Sequence, residues 1–413
     1  MALFAGNQLP VLVIVFVAVT ILGSSLLKKY FRSTTNLFEF FGNTRTTGQG
    51  FAKWIPVAFQ RSVAQPYPNW DLYATKPIPY RPFRYGPYYI TMGIRKMQWD
   101  EWIELDNLYP KYHARKLERI AERGSKLSCT APEAYDGACE LLEELCAYLP
   151  ERYPSLFQST AVGIDNRYTG ESFNILKRPL VEDPMQMAAR MIQDDVAMMF
   201  EKADGEYHLL AASVMLPGAW RLKDKFGMSL SEIHISGDVP GYKAKLEKSM
   251  TKFFQRIQPQ SPFLRNNYFF QVGDDLAWNR SLGLENFDEI DGYNGGGVKT
   301  VKPHWGTASG GEAIEHHYFR TERQSLRRLP RTGAIVFTFR TYLHPVTQIA
   351  QEPGVPGRLA SAVRSWGADV AKYKGRANYE DALLKYLDEK HKEQVEQGII
   401  NEDNIKEKET YPY

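Results

Sequence analysis

Apolar and polar residues alternate with a period of two near the C-terminal third of the chain. From Ala334 onward, Ile335, Phe337, Phe339 and Leu343 fall on one face, and Thr338, Arg340 and Tyr342 on the other. That spacing predicts a half-buried antiparallel strand. Arg320, Arg323, Arg327, Arg328 and Arg331 crowd just ahead of it together with Glu322, which places these arginines at the mouth of a sheet. A second strand is predicted over Phe263–Gln271. The stretch from Asp195 to Leu216 reads as a hairpin turning at Asp204-Gly205.

Helical spacing alternates with these strands. Trp102, Leu105 and Leu108 predict a helix over Trp99–Ile120, and Leu141, Leu142 and Leu145 predict another from Pro132 to Leu149, with Pro150 just past its end. A short helix over Ser229–His234 and a longer one over Tyr242–Gln258 follow, then a Gly-rich loop over Gly292–Gly311. The region Tyr379–Lys408 reads as charged amphipathic helix with a solvated face. Antiparallel strands mixed with helices predict an α+β domain rather than a doubly wound sheet.

The apolar run Leu9–Leu27 changes the picture, because it is long enough to span a bilayer. Lys28, Lys29 and Arg32 follow it and nothing basic precedes it, which predicts a retained transmembrane helix rather than a cleaved signal. The excess of positive charge after the run then predicts a single-pass protein of the endoplasmic reticulum or another endomembrane, with residues 30–413 on the cytosolic side. Glycosylation at Asn279-Arg280-Ser281 would reverse that placement. The expected organisation is an anchor over 1–30, a Pro-, Gly- and aromatic-rich wrapping segment over 31–90, a core over 91–350 and a helical tail over 351–413.

Composition mainly excludes. A net charge of +3 with dispersed basic residues argues against nucleic acid as a partner. Three cysteines cannot frame a disulfide scaffold, and Cys139 and Cys146, one heptad apart, are expected as small core residues. There is no Cys-x-x-Cys pair, no His-Glu-x-x-His, no Gly-Lys-Ser/Thr phosphate loop and no Gly-x-Gly-x-x-Gly opening a helix after a strand.

Guanidinium groups beside an apolar face suit a ligand with an apolar body and carboxylate or phosphate ends. Arg265, on the same strand face as Asn267, joins Arg323, Arg327 and Arg340 as candidates, and the alternative for each is a salt bridge to Glu322 or another acid. His234 precedes a break enforced by Gly237 and Pro240. It either caps helix carbonyls or presents a neutral imidazole to a metal. His316-His317 is the rival metal pair, but neighbours in an extended segment point to opposite faces.

Several blocks resemble, in the same order, those of the heme-dependent oxidative N-demethylase (heme alpha-subunit-like) family, also called the HRQ family. The signature is Glu322-Arg323-Gln324-Ser325-Leu326-Arg327-Arg328-Leu329-Pro330. The others are Met92-Gly93-Ile94-Arg95, Trp220-Arg221 with Lys225-Phe226-Gly227, Ile233-His234 before Val239-Pro240-Gly241-Tyr242, Leu264-Arg265 to Tyr268, and Tyr373-Lys374-Gly375. The resemblance implies a PAS-like antiparallel sheet with helical elaborations gripping heme b. It implies His234 as the iron ligand and Arg265, Arg323, Arg327 and Arg340 at the propionates. Glu322 and Gln324 would stand on the catalytic side, an acid there suiting a cationic amine. The implied reaction is oxidative N-demethylation of a small methylated amine, in which a methyl group beside nitrogen is hydroxylated and the carbinolamine collapses to amine and formaldehyde. Electrons would come from NAD(P)H indirectly, through a separate reductase on the same membrane. The alternatives are a non-catalytic heme or small-ligand sensor module, and a membrane adaptor that has lost its ligand.

Overall fold

A computed structural model describes residues 54–218, 220–277 and 313–401. The Leu9–Leu27 run, the Gly292–Gly311 loop and the Asn279 sequon lie outside the described residues. Among those described, no helix is long and apolar enough to cross a membrane.

Among the described residues ten strands form two antiparallel sheets. β1 (Arg95–Lys96), β2 (Ser128–Thr130), β6 (Asp195–Glu201), β7 (Tyr207–Ser213), β8 (Phe263–Val272), β9 (His317–Arg328) and β10 (Ile335–Pro345) make a seven-stranded sheet in the order β1-β8-β9-β10-β6-β7-β2. β3 (Phe157–Ser159), β4 (Gly163–Asn166) and β5 (Ser172–Asn174) form a small one. The mixed α+β class with a large antiparallel sheet therefore matches the expectation. So does the β6–β7 hairpin, where Gly205 supplies the left-handed φ of +84° that its turn requires.

The arginine-rich segment departs from the expectation. It is not at the sheet's mouth but is itself β9, flanked by β8 and β10, with continuous pairing from Arg328↔Ile335 to Tyr318↔Pro345. Nor is β10 half-buried, because both faces of the sheet are covered. Behind it, α2 (Tyr135–Arg152) and α3 (Pro184–Met191) pack Leu141, Leu142, Leu145 and Met187 into one core with Val196, Met198, Leu264 and Val336. In front, Met199, Leu209, Leu326, Ile335 and Phe339 meet α4 (Leu230–Ser236) and α5 (Glu247–Arg256) through Leu230 and Phe254.

Other boundaries shift for local reasons. α1 begins at Tyr109 rather than Trp99 and runs to Arg123, with Pro110 in its first turn, where the missing N–H costs nothing. The stretch ahead of it buries Trp102, Ile103 and Leu105 in the core without forming that helix. α2 carries Pro150 inside its last turn and ends two residues later. Cys139 and Cys146 are buried free thiols, as expected.

Residues 54–90 run extended along the domain and seat Tyr80, Arg81 and Phe83 in it. Beyond residue 350, α6 (Val355–Arg364), α7 (Ala368–Tyr373) and α8 (Glu380–Glu396) are more than a solvated appendage. Leu359, Val363, Leu383 and Leu387 are fully buried against Phe270 and Phe319.

Candidate functional site

The front of the large sheet bounds a cavity of about 390 Å³, within the range of small-molecule sites. Strand alternation decides what enters it. On β9 the even-numbered Arg320, Glu322, Gln324 and Leu326 face the cavity, and on β8 Arg265, Asn267 and Phe269 do. Met199, Leu209 and Phe337 extend an apolar floor, and Leu230, Ile233, Leu246, Met250 and Phe253 form the opposite wall. Tyr88 and Ile90 from the wrapping segment, Met92 just beyond it, Tyr373 at the end of α7 and Lys374 just after it also line the cavity.

His234 lines this cavity from α4. Its Nδ1 lies 2.7 Å from the carbonyl oxygen of Leu230, which can only accept, so Nδ1 carries the proton. Burial pushes the ring's pKa down to about 4, and Arg265 and Lys225 act in the same direction. The ring is therefore neutral at pH 7, with the lone pair on Nε2, the state in which histidine ligates a metal. The ring of Tyr242 stacks on it, with centroids 4.7 Å apart and planes 10° from parallel.

A polar chain crosses the β8–β9 pair. Arg265 donates from Nη1 to Gln324 Oε1 at 2.8 Å, and Gln324 Nε2 donates to Glu322 Oε2 at 3.0 Å. The register imposes this order, since Arg265 pairs with Gln324 and Asn267 with Glu322. Among the described residues Arg265 Nε is buried without a partner, and such a donor costs free energy until an acceptor reaches it.

Two lysines add to the positive charge. Lys374 donates to the Tyr268 carbonyl at 2.6 Å, and its ammonium lies 4.5 Å from the Tyr268 ring centroid and 4.7 Å from that of Phe269. Burial, reinforced by Arg265, lowers its pKa to about 7. Lys225 donates to Ser236 Oγ at 2.5 Å, and burial lowers its pKa to about 8. Both lysines fall in motif blocks of the sequence, but composition and spacing assigned them no role.

The remaining candidate arginines are elsewhere. Arg323 and Arg327 occupy odd positions of β9 and Arg340 lies on β10; all three are fully buried and none lines the cavity. Arg323 Nε lies 3.0 Å from Glu104 Oε1, and Arg327 Nη2 lies 2.9 Å from Glu144 Oε2 with its guanidinium 4.3 Å from the Trp102 ring centroid. Arg340 grips Asp106. The salt-bridge alternative holds for these three, although their partners are Glu104, Glu144 and Asp106 rather than Glu322. Extending the period of two back through the arginine run would have separated Arg323 and Arg327 from Glu322 and Gln324. Arg320 does line the cavity, but its Nη atoms are engaged by Gln271, Leu276, Leu216 and Thr341.

The cavity thus combines a neutral imidazole, apolar walls and four basic groups, Arg265, Arg320, Lys225 and Lys374, against Glu322. That donor set fits a metalloporphyrin, with its flat apolar body, nitrogen-ligated metal and two carboxylates. Among the described residues no group of three or more His, Cys, Asp or Glu could hold a bare metal ion. His317 instead directs Nδ1 to the Ala313 carbonyl at 3.0 Å.

Residues 93–384, more than half of the chain, match the family model described as haem-dependent oxidative N-demethylase, alpha subunit-like. The matched span contains His234, Arg265, Glu322, Gln324 and Lys374.

Proposed function

The chain belongs to the haem-dependent oxidative N-demethylase alpha-subunit-like family, and from that premise we propose that it is a heme b oxidoreductase that removes a methyl group from a small methylated amine. The observation that carries the reading is His234, a neutral ring whose Nε2 lone pair has no partner among the described residues, at an apolar cavity bearing cations. His234 Nε2 is the proposed iron ligand. Arg265, Lys374 and Lys225 are the proposed partners of the two propionates, with the orphaned Arg265 Nε ready to donate.

When bound, heme supplies the reductive use of O₂, one oxygen atom entering the methyl C–H bond and the other leaving as water. The overall change consumes amine, O₂, two electrons and two protons, and yields demethylated amine, formaldehyde and water. In it, Glu322 receives the amine's cationic head, and Gln324 holds the carboxylate in place through its 3.0 Å hydrogen bond. The apolar walls exclude water, which strengthens that charge contact.

Three finer elements belong to the same proposal. The sheet is PAS-like. The two electrons come from NAD(P)H through a separate reductase, since the chain carries no nicotinamide, flavin or cysteine-cluster motif of its own. The Leu9–Leu27 run with Lys28, Lys29 and Arg32 after it supports an endomembrane anchor that confines both proteins to one surface.

The test is an absorption spectrum of the purified full chain with and without added hemin, followed by formaldehyde assay with methylated amines and a reductase. A Soret band with formaldehyde release is expected. A chain that stays colourless after hemin addition refutes the reading, and a Soret band without formaldehyde from any methylated amine reduces it to heme binding alone.

A further inference from the structure

The wall of the cavity that carries Leu246, Met250 and Phe253 has an outer face of a different character. Tyr242–Leu246 is wound as a π-helix and continues into α5, and irregularities of this kind recur at functional sites. Over Tyr242–Arg256 the large apolar side chains Tyr242, Leu246, Met250, Phe253 and Phe254 turn inward. Lys243, Lys245, Lys248, Lys252 and Arg256 are exposed, against the single acid Glu247. These fifteen residues carry more positive charge than the whole chain's net of +3. None of the five cations has an acidic side-chain partner among the described residues. Elsewhere on the surface cations are commonly paired, as Arg364 is with Asp388 and Lys392 with Glu396.

We infer that this basic ridge is the docking surface for an acidic, electron-donating protein. The inference rests on the heme reading of the cavity beneath it. A protein seated on the ridge would be separated from the cavity by one helix, about 10 Å across. Tyr242, the first residue of the ridge segment, stacks its buried ring on His234, so a packed route from ridge to proposed iron ligand runs through two nearly parallel rings. Electrostatic complementarity of this type raises association rates and makes them salt-dependent. An anionic membrane is the other surface that attracts lysines, but helices lying on lipid insert an apolar face. Here the apolar face is spent on the cavity, and the exposed positions between the cations are Ala244, Ser249 and Gln255.

The experiment replaces the five cations together (K243E, K245E, K248E, K252E and R256E) in the full chain. A control variant carries K385E and K392E on α8. Two readouts use reduced plant-type ferredoxin as the acidic probe: its direct binding to the heme-free chain, and its reduction of the hemin-loaded chain. The ridge variant is expected to bind about tenfold or more weakly and to be reduced correspondingly more slowly, with the salt dependence largely gone. Its hemin spectrum, its reduction by dithionite and its unfolding midpoint should be those of the parent. A second variant, with the five cations replaced by glutamine, should fall between the two. Equal binding and equal salt dependence in parent and ridge variant overturn the inference. So does loss of binding only to phosphatidylserine vesicles, which would make the ridge a membrane contact. A chain that takes up no hemin but still loses ferredoxin binding in the ridge variant faults the cavity reading and leaves the docking surface standing.

Discussion

Arg340 and Asp106 form a two-pronged ion pair across 234 positions of sequence, with Nη2 at 3.1 Å from Oδ1 and 2.9 Å from Oδ2. Both residues are buried, Gln193 donates to the same carboxylate at 3.1 Å, and the guanidinium lies 3.9 Å from the Tyr112 ring centroid. The pair ties the strand behind the cavity to the segment that precedes α1. Removing one partner strands the other charge in the core. D106A should therefore lower unfolding free energy by about 3–5 kcal/mol in urea titrations. A midpoint equal to that of the parent would show that the pair does not bind the two elements together.

His234 should decide whether hemin is held by its iron. H234A is expected to weaken hemin binding by at least about tenfold or to displace the Soret maximum. The variant loses a ring stacked on Tyr242 but no buried charge, so it should stay folded. An unaltered spectrum and affinity would remove His234 as the ligand.

Lys374 should make the protein's behaviour depend on pH in one direction. Its folded pKa of about 7 lies below the ordinary lysine value of 10.5. Between those values the unfolded chain binds a proton that the native chain lacks, so stability should rise with pH across that window. The slope has an upper bound of about 1.4 kcal/mol per pH unit. K374M should flatten that rise in denaturant titrations between pH 7 and 10. Hemin affinity should run the opposite way, falling as the ammonium is lost above pH 7 in the parent and not in K374M. Parallel pH profiles in the two proteins would contradict both statements.

Glu322 should act on substrate rather than on the cofactor. E322Q keeps the side chain's shape and removes the charge offered to a cationic amine. With methylated amines its KM is expected to rise by about ten- to a hundredfold, the worth of one charge-assisted hydrogen bond. The hemin spectrum should not change. A raised KM accompanied by lost hemin would move Glu322 to the cofactor.

Local pattern was legible wherever neighbours in sequence decide the outcome. The period of two marked β10, Asp204-Gly205 marked the hairpin, and Leu141, Leu142 and Leu145 marked α2. Ordered motif blocks were enough to identify the family. His234 and the face shared by Arg265 and Asn267 also emerged from residues close in the chain, and both line the cavity. The role of each arginine was not legible in the same way. It depended on β9 being a strand inside the sheet, and on the carboxylates of Glu104, Glu144 and Asp106 arriving behind it from segments about 180 to 235 positions away.

The sequence by itself determined the family and those elements with a clear local period or turn, because backbone periodicity and motif order are properties of consecutive residues. The tertiary structure alone decided which side of the sheet each charge serves. Pairing register sends alternate residues of β9 to opposite layers, and only the packing of those layers makes one a closed core of ion pairs and the other a cavity. Lys374 enters that cavity for the same reason, carried there by helices whose apolar faces close against Phe270 and Phe319.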